Sequence, residues 1–328
     1  MSKLIAESAR IAVAGHTHPD GDALGSTAAM ALTLMEMGKE AACIFPDPPA
    51  CNLIFLQAPG IKYFYHDKEP REAENFIAGA DLVILLDCNG FSRTEGLENA
   101  FRQSSAPKIL IDHHLNPESG SFERVISTPD ISSASELLYW TLKDLYGSVS
   151  KEAGYYLMAG MTTDTNNFAN SVYPSTFSMA SELIAAGVDR DSILEKIYSS
   201  YRENRVRLMG YMQYEGMTIL PEGAAYMILT KEIMEKFDLR EGESEGLVNV
   251  PLSIADVRLS VLLKENGDHF RVSIRSRKGT SAQGLAQSFF HGGGHENAAG
   301  GKLFIGMDIP SAAQAAKYVE NAIREGLK

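Results

Sequence analysis

Three short apolar runs within the first 112 residues constrain the fold more than any other feature. "IAVAG" begins at Ile11, "DLVILLD" spans 81–87 and "KILID" spans 108–112; the last two end in Asp. A strand with one wet face alternates apolar and polar residues. A strand that is apolar throughout is covered on both faces, as parallel strands between helices are. Helical periodicity separates the runs: "DALGSTAAMALTLMEMG" closes on Gly38, a helix-ending residue, and "AACIF" is a further strand stopped by "PDPP". "SASELLYWTLKDLYG" and "KEAGYYLMAGMTTDT" follow as helices with Ser or Thr available for capping. This alternation predicts an α/β fold with a doubly wound, mostly parallel sheet. Such sheets bind ligands beyond the carboxyl ends of their strands.

The texture changes after a mixed-charge helical stretch at 189–215, read as a linker between a domain at 1–188 and a smaller α/β domain at 216–328. A chain of 328 residues is longer than one hydrophobic core usually organises, which favours the division. In the second part "GMTIL", "AAYMIL", "VRLSVLLKENG" and "HFRVSIRSRKG" read as strands, the last two joined by an "ENGDH" hairpin. The helix "TSAQGLAQSFF" precedes "HGGGHENAAGG", and an amphipathic helix follows.

A net charge of −12 argues against coating long duplex nucleic acid, which requires many Lys and Arg on phosphates. It leaves room for a short anionic substrate. Cys43, Cys51 and Cys88 form no CxxC pair, so neither a disulfide framework nor a thiolate zinc site is expected. "MSKLIAESAR" has no signal-peptide pattern, and no run approaches ~18–20 apolar residues, so the expectation is a cytoplasmic protein without a membrane partner.

Ligand-type side chains gather where strands end or helices begin. They are His16, Asp20 and Asp22 in "HTHPDGD", Asp87 in "LLDCNG", Asp112, His113 and His114 in "IDHH", and Asp164 in "MTTDT". Singly, each has a bland explanation as a cap or a turn residue. Together, so many carboxylates beside two or three histidines at one sheet edge would repel one another unless cations sat among them. Mixed His and carboxylate ligands suit two Mn²⁺-like ions better than structural zinc.

This set, with the C-terminal "GGGHENAAGG", resembles the DHH phosphoesterase superfamily with its DHHA1 companion domain, and within it the oligoribonuclease and 3′-phosphoadenosine-5′-phosphate (pAp) phosphatase group. The resemblance implies that His16, Asp20 and Asp87 hold one divalent ion, and that Asp22, Asp87, His113 and Asp164 hold a second, with Asp87 bridging. It makes Asp112 the carboxylate that orients a histidine and His114 the donor or acid facing the substrate phosphate. His18 falls at a free position of the motif and is expected to be a bystander, with Pro19 and Gly21 bending the loop so that Asp20 and Asp22 diverge. Substrate contacts are expected from Arg275 and Ser276 in "SIRSRKG", from Gly293, Gly294 and His295 in "GGGH", and from Arg93. Arg277 shares the face of Arg275 if the strand persists, though it and Lys278 could equally be solvated strand-end charges; His66, His269 and His291 are read as surface or packing residues.

The implied activity is hydrolysis of short oligoribonucleotides, linear dinucleotides or pAp by water activated between two metal ions. An exopolyphosphatase-like enzyme and a non-catalytic nucleotide-binding module are the alternatives, and a homodimer would be unsurprising.

Overall fold

In the computed structural model of the chain, residues 1–327 are described, apart from the side chain of His295. Two compact units are formed, Met1–Ser200 and Tyr201–Lys328. The first is built on six parallel strands: β1 (Arg10–Ala14), β2 (Glu40–Phe45), β3 (Lys62–Tyr65), β4 (Leu82–Leu86), β5 (Lys108–Asp112) and β6 (Arg124–Ser127). Their order is β3-β2-β1-β4-β5-β6. The chain winds outward from β1 in one direction and then from β4 in the other, so the topological switch point lies between β1 and β4.

The continuous apolar runs have the cause expected of them. Along β1, Ile11 and Val13 enter one core while Ala12 and Ala14 enter another, and β4 divides in the same way. The larger core is closed by α2 (Gly21–Glu36), α5 (Ala134–Tyr146) and α6 (Lys151–Asp164), and α1 (Ser2–Glu7) also reaches it through Ile5. The opposite face is covered by α3 (Pro70–Ala78) and α4 (Glu98–Gln103). The remaining helices of the unit are α7 (Pro174–Ala185) and α8 (Arg190–Tyr198).

The stretch at 189–215 is not one continuous helix. It comprises α8 in the first unit and α9 (Glu203–Tyr214) in the second, separated by four non-helical residues, 199–202. The second unit carries β7 (Met217–Leu220), β8 (Ala224–Leu229), α10 (Lys231–Lys236), β9 (Leu259–Asn266), β10 (His269–Ser276), α11 (Ala282–Phe289), β11 (Gly293–His295), β12 (Ala298–Phe304) and α12 (Ala315–Gly326). Its six-stranded sheet, ordered β11-β12-β10-β9-β8-β7, is antiparallel except between β8 and β9. One face packs on α11 and α12; the other is covered at β8 and β9 by α9 and the 3₁₀ turns at Leu247–Ser253. "GGGHENAAGG" is therefore a β-hairpin. Among the described residues no helix is long and apolar enough to cross a membrane.

Candidate metal centre

The switch point sets the positions of the ligand-type residues. His16 follows β1, Asp87 follows β4 and His113 follows β5, all at the carboxyl edge of adjacent strands. Helices deliver the rest. Asp20 is the N-cap of α2: its Oδ1 accepts from the N–H groups of Asp22 and Ala23 at 3.0 and 3.1 Å, which leaves Oδ2 3.8 Å from His16 Nε2. Capping and ligand-type placement thus coexist on one side chain.

Gly21 does not bend the loop as expected. It is the first residue of α2, and a Cβ there would lie 2.3 Å from Thr163 Oγ1. A Cβ on Gly160 would lie 2.2 Å from Ser135 Oγ. These glycines let α2, α5 and α6 approach closely enough to place Asp22 beside Asp164. Asp164 itself ends α6 rather than following a strand. An anion at a helix C-terminus opposes the helix dipole, an arrangement that stability alone does not favour.

Three groups of ligand atoms result, each with its members within 4.8 Å of one another: His16, Asp20 and Asp87; Asp22, His113 and Asp164; and Asp87, His113 and His114. Asp87 joins them. Its Oδ2 lies 3.5 Å from His16 Nε2 and its Oδ1 3.4 Å from His113 Nε2. It is 2% exposed with φ 53°, a left-handed conformation that Asp tolerates better than most residues and that is worth storing only for a purpose. Its Oδ1 is buried and makes no hydrogen bond.

Asp22 is nearly as buried and accepts from the first N–H groups of α5, Ala134 at 2.6 Å and Ser135 at 2.9 Å. Burial, then the charges of Asp87 and Asp164, push its carboxyl well above the usual range. Asp164 is pushed up to about 7, by burial first and by neighbouring carboxylates against the opposing pull of His113. Asp87 is held below the ordinary range: burial would raise it, but the close approach of the His113 and His16 rings and their positive charge prevail. Burial should likewise lower both histidines. The Asp87 contact and the surrounding negative charge reverse that, taking His16 to about 9 and His113 to about 10. Without cations the cluster thus holds protons where an ordinary surface group would not.

The residues fit two divalent ions. Carboxylate and imidazole donors converge without a thiolate, a buried acceptor atom lacks any partner, and the histidine tautomer is already set. His16 Nδ1 donates to the Thr17 carbonyl at 2.7 Å, which turns Nε2 toward Asp87 and makes it the nitrogen that is bared when the ring gives up its second proton.

Of the expected catalytic residues, Asp112 is fully buried and orients His114 rather than His113, through Nδ1 at 2.7 Å and the backbone N–H at 3.1 Å. Arg93 Nη1 lies 3.2 Å from His114 Nε2. A guanidinium cannot accept, so Nε2 is the acceptor and the His114 proton sits on Nδ1. His18 is exposed; its ring and backbone N–H bind Asp47 at 2.7 Å each, and Thr17 Oγ1 donates to the same carboxylate at 2.8 Å.

In the second unit two expectations are corrected. Ser276 does not share the face of Arg275: it is buried on the α11 side, donates to the Thr280 carbonyl at 2.6 Å and accepts from Asn297 at 3.0 Å. Arg277 is beyond the strand, so it does not continue the face of Arg275; it is exposed and donates to the carbonyls of Leu252, Ile254 and Ala255. Arg275 lies on the opposite face, and its Nη1 donates to the carbonyl of Ile274 at 2.9 Å. Gly294, with φ 138°, and Gly292 are required by backbone contacts within the hairpin, where a Cβ would meet carbonyl oxygens at 2.7 and 2.0 Å. Gly293 borders open space. The expected contribution of the His295 side chain lies outside the described residues.

Sequence reasoning passed over the residues that hold the centre in place. Asp47, read only as part of a strand-ending "PDPP", fixes the Thr17–His18 loop. Glu136, fully buried, accepts from Ser132, Thr176 and Trp140 and so secures the N-terminus of α5 that grips Asp22. Glu118 accepts from Arg102 and from the Phe91 N–H at 3.2 Å, anchoring the loop that carries Arg93. Only the Ser-rich start of "SASE" hinted at any of these.

Comparison with known proteins agrees with this architecture. The chain matches the DHH family N-terminal domain over residues 10–161 and the DHHA1 domain over 224–322. It is 32% identical to the bifunctional oligoribonuclease and PAP phosphatase NrnA of Thermus thermophilus, across 97% of this chain and 90% of that protein. It is 28% identical to the protein of that name from Bacillus subtilis, across 88% of each. The crystal structure of an exopolyphosphatase-related protein from Bacteroides fragilis superposes with a TM-score of 0.92 at 35% identity, covering 99% of this chain and 95% of that one. The chain belongs to the DHH family, with a DHHA1 domain in its second unit.

Proposed function

We propose that the chain is a metal-dependent phosphohydrolase that cleaves phosphate ester bonds of short oligoribonucleotides, linear dinucleotides and pAp. The observation that carries this is Asp87, whose two carboxylate oxygens each serve a different group of ligand-type residues. The activities named for the two NrnA relatives support the substrate class.

His16, Asp20 and Asp87 would hold one ion, and Asp22, Asp87, His113 and Asp164 the other, with manganese as the expected metal. Bound there, the ions supply Lewis acidity and a nucleophilic water at neutral pH. The protein's own groups do the rest. The Thr17 carbonyl keeps the His16 proton on Nδ1, and the N-terminus of α5 holds Asp22 in one orientation. Arg93 and His114 form a paired donor site for a phosphate oxygen: displacing the Arg93 N–H from Nε2 frees the guanidinium, and Asp112 stabilises the imidazolium once Nε2 takes up a proton.

A turnover panel with Mn²⁺ tests the reading, using pAp, ribonucleotides of two to five residues, and polyphosphate. Release of mononucleotides or of AMP is the expected result; tight binding with no turnover of any substrate would replace it with a binding module. Hydrolysis of polyphosphate alone would favour the second reading, exopolyphosphatase activity, which the name of the Bacteroides fragilis relative supports.

A further inference from the structure

His18 is held more firmly than a surface histidine needs to be. Its backbone is left-handed, φ 50°, at a position two residues from each of the expected ligands His16 and Asp20. Non-glycine residues occupy that region at a cost, and they stay there only where their surroundings enforce it. Asp47, on the loop after β2, is what enforces it here. Its Oδ1 accepts from the His18 N–H at 2.7 Å and from Thr17 Oγ1 at 2.8 Å, and its Oδ2 lies 2.7 Å from His18 Nδ1. The Asp47 side chain is 13% exposed and that of His18 67%, so a largely buried carboxylate grips a largely exposed ring.

Two of those three contacts brace the loop; the third orients the ring. A carboxylate only accepts, so Nδ1 carries the proton and, in the neutral ring, Nε2 is a bare acceptor. Among the described residues Nε2 has no partner. β1 and β2 are neighbours in the sheet, and His18 and Asp47 follow their carboxyl ends, the edge at which an open α/β sheet binds its ligand. The ring thus offers one hydrogen-bond acceptor, in a set tautomer, on the loop that also carries His16 and Asp20.

We propose that His18 Nε2 accepts a hydrogen bond from a ribose 2′-hydroxyl of the substrate, so that the chain selects ribonucleotides over deoxyribonucleotides. The inference rests on the phosphohydrolase reading above and deepens it by assigning the sugar contact. A phosphodiester has no proton to donate at neutral pH, whereas the sugar hydroxyl has one, and the 2′-hydroxyl is vicinal to the 3′-phosphoester. It is also the group by which a protein tells RNA from DNA at a given site. Asp47 is then a positioning residue, because it holds the ring in the tautomer that accepts.

The test is a cycle of two chains and three substrates. In His18→Asn the amide nitrogen takes the place of Nδ1 and keeps the Asp47 contact, Asn tolerates the left-handed backbone, and only the outer acceptor is lost. The full-length wild type and this variant are compared with Mn²⁺ on a 5′-phosphorylated diribonucleotide and on its 2′-deoxy and 2′-fluoro forms; fluorine removes the donor but keeps the ribose pucker. The wild type should prefer the ribonucleotide about fivefold in kcat/KM over both, and His18→Asn should abolish that preference by slowing the ribonucleotide alone. A wild type that does not distinguish the three, a variant as selective as wild type, or an equal loss on all three would overturn the contact and leave His18 as a brace of the loop. Loss of a metal ion from the variant would overturn it too, by making His18 part of the centre. Binding of fluorescent phosphorothioate forms of the ribo- and deoxyribonucleotide reads the same preference without turnover. A wild-type chain that binds with this His18-dependent preference but hydrolyses neither substrate refutes the enzyme reading and leaves the sugar contact standing.

Discussion

Metal loading should expel protons, and the structure sets how many. In the metal-free chain His16 titrates near 9 and His113 near 10, so at pH 7.5 both are almost fully protonated. The ligating form of imidazole is neutral, so filling the centre displaces about two protons, one from each ring. Asp164, near 7, adds a small fraction, and Asp22, pushed up by burial and its carboxylate neighbours, can only add to the count, so two is the lower bound. The sign follows from linkage. Groups whose folded pKa is raised stabilise the metal-free fold fully below about 6.5 and lose that contribution as pH climbs through about 9 to 10. Metal affinity runs the other way, and the product of the two binding constants should rise about 100-fold per pH unit near neutrality. Titration calorimetry with Mn²⁺ in two buffers of different ionisation enthalpy counts the protons directly. Histidines at their ordinary pKa would release only about 0.2 proton in total at pH 7.5. A count that low would refute the argument that Asp87 and its neighbours hold these rings charged. In Asp87→Asn the main cause of both shifts is removed, and release should drop to about one proton or fewer.

Three further outcomes follow from the same contacts. Asp87→Asn should also lower turnover by more than about 100-fold, beyond what losing an outer hydrogen-bond partner costs, while circular dichroism shows the fold retained; activity near wild type would sink the bridging assignment. Metal stoichiometry by elemental analysis should fall from two to one in His16→Ala and stay at two in His18→Ala, because His18 is engaged by Asp47. Glu136→Gln places an amide N–H₂ against buried donors, so it should cost about 2 kcal/mol, a fall in Tm of roughly 4–8 °C, and weaken metal binding through the α5 N-terminus that holds Asp22; an unchanged metal affinity would confine Glu136 to stability.

The chain's own order of residues determined a good deal. Apolar runs without alternation can be buried only on both faces, so β1, β4 and β5 were legible as parallel strands, with their acidic and histidine ends at one edge. Motif spacing was enough to place His16, Asp20, Asp87 and His113 in that neighbourhood. The edge strands β3 and β6 were not legible, because four half-buried residues bear no periodic signature. Nor was the division of a single charged helical stretch into α8 and α9, since the break at 199–202 carries neither Gly nor Pro.

Tertiary structure alone decided which groups meet. Asp164 reaches Asp22 because glycines remove the side chains that would keep three helices apart. Arg275 and Ser276 part company because adjacent strand residues face opposite sides. Lys264 and Arg271 face each other across the hairpin between β9 and β10, but Lys302, 31 residues further on, joins their row only through the register of β12 on β10. Local pattern reports what a segment must bury; register and helix packing report what that segment stands next to, and the chemistry of this protein depends on the second.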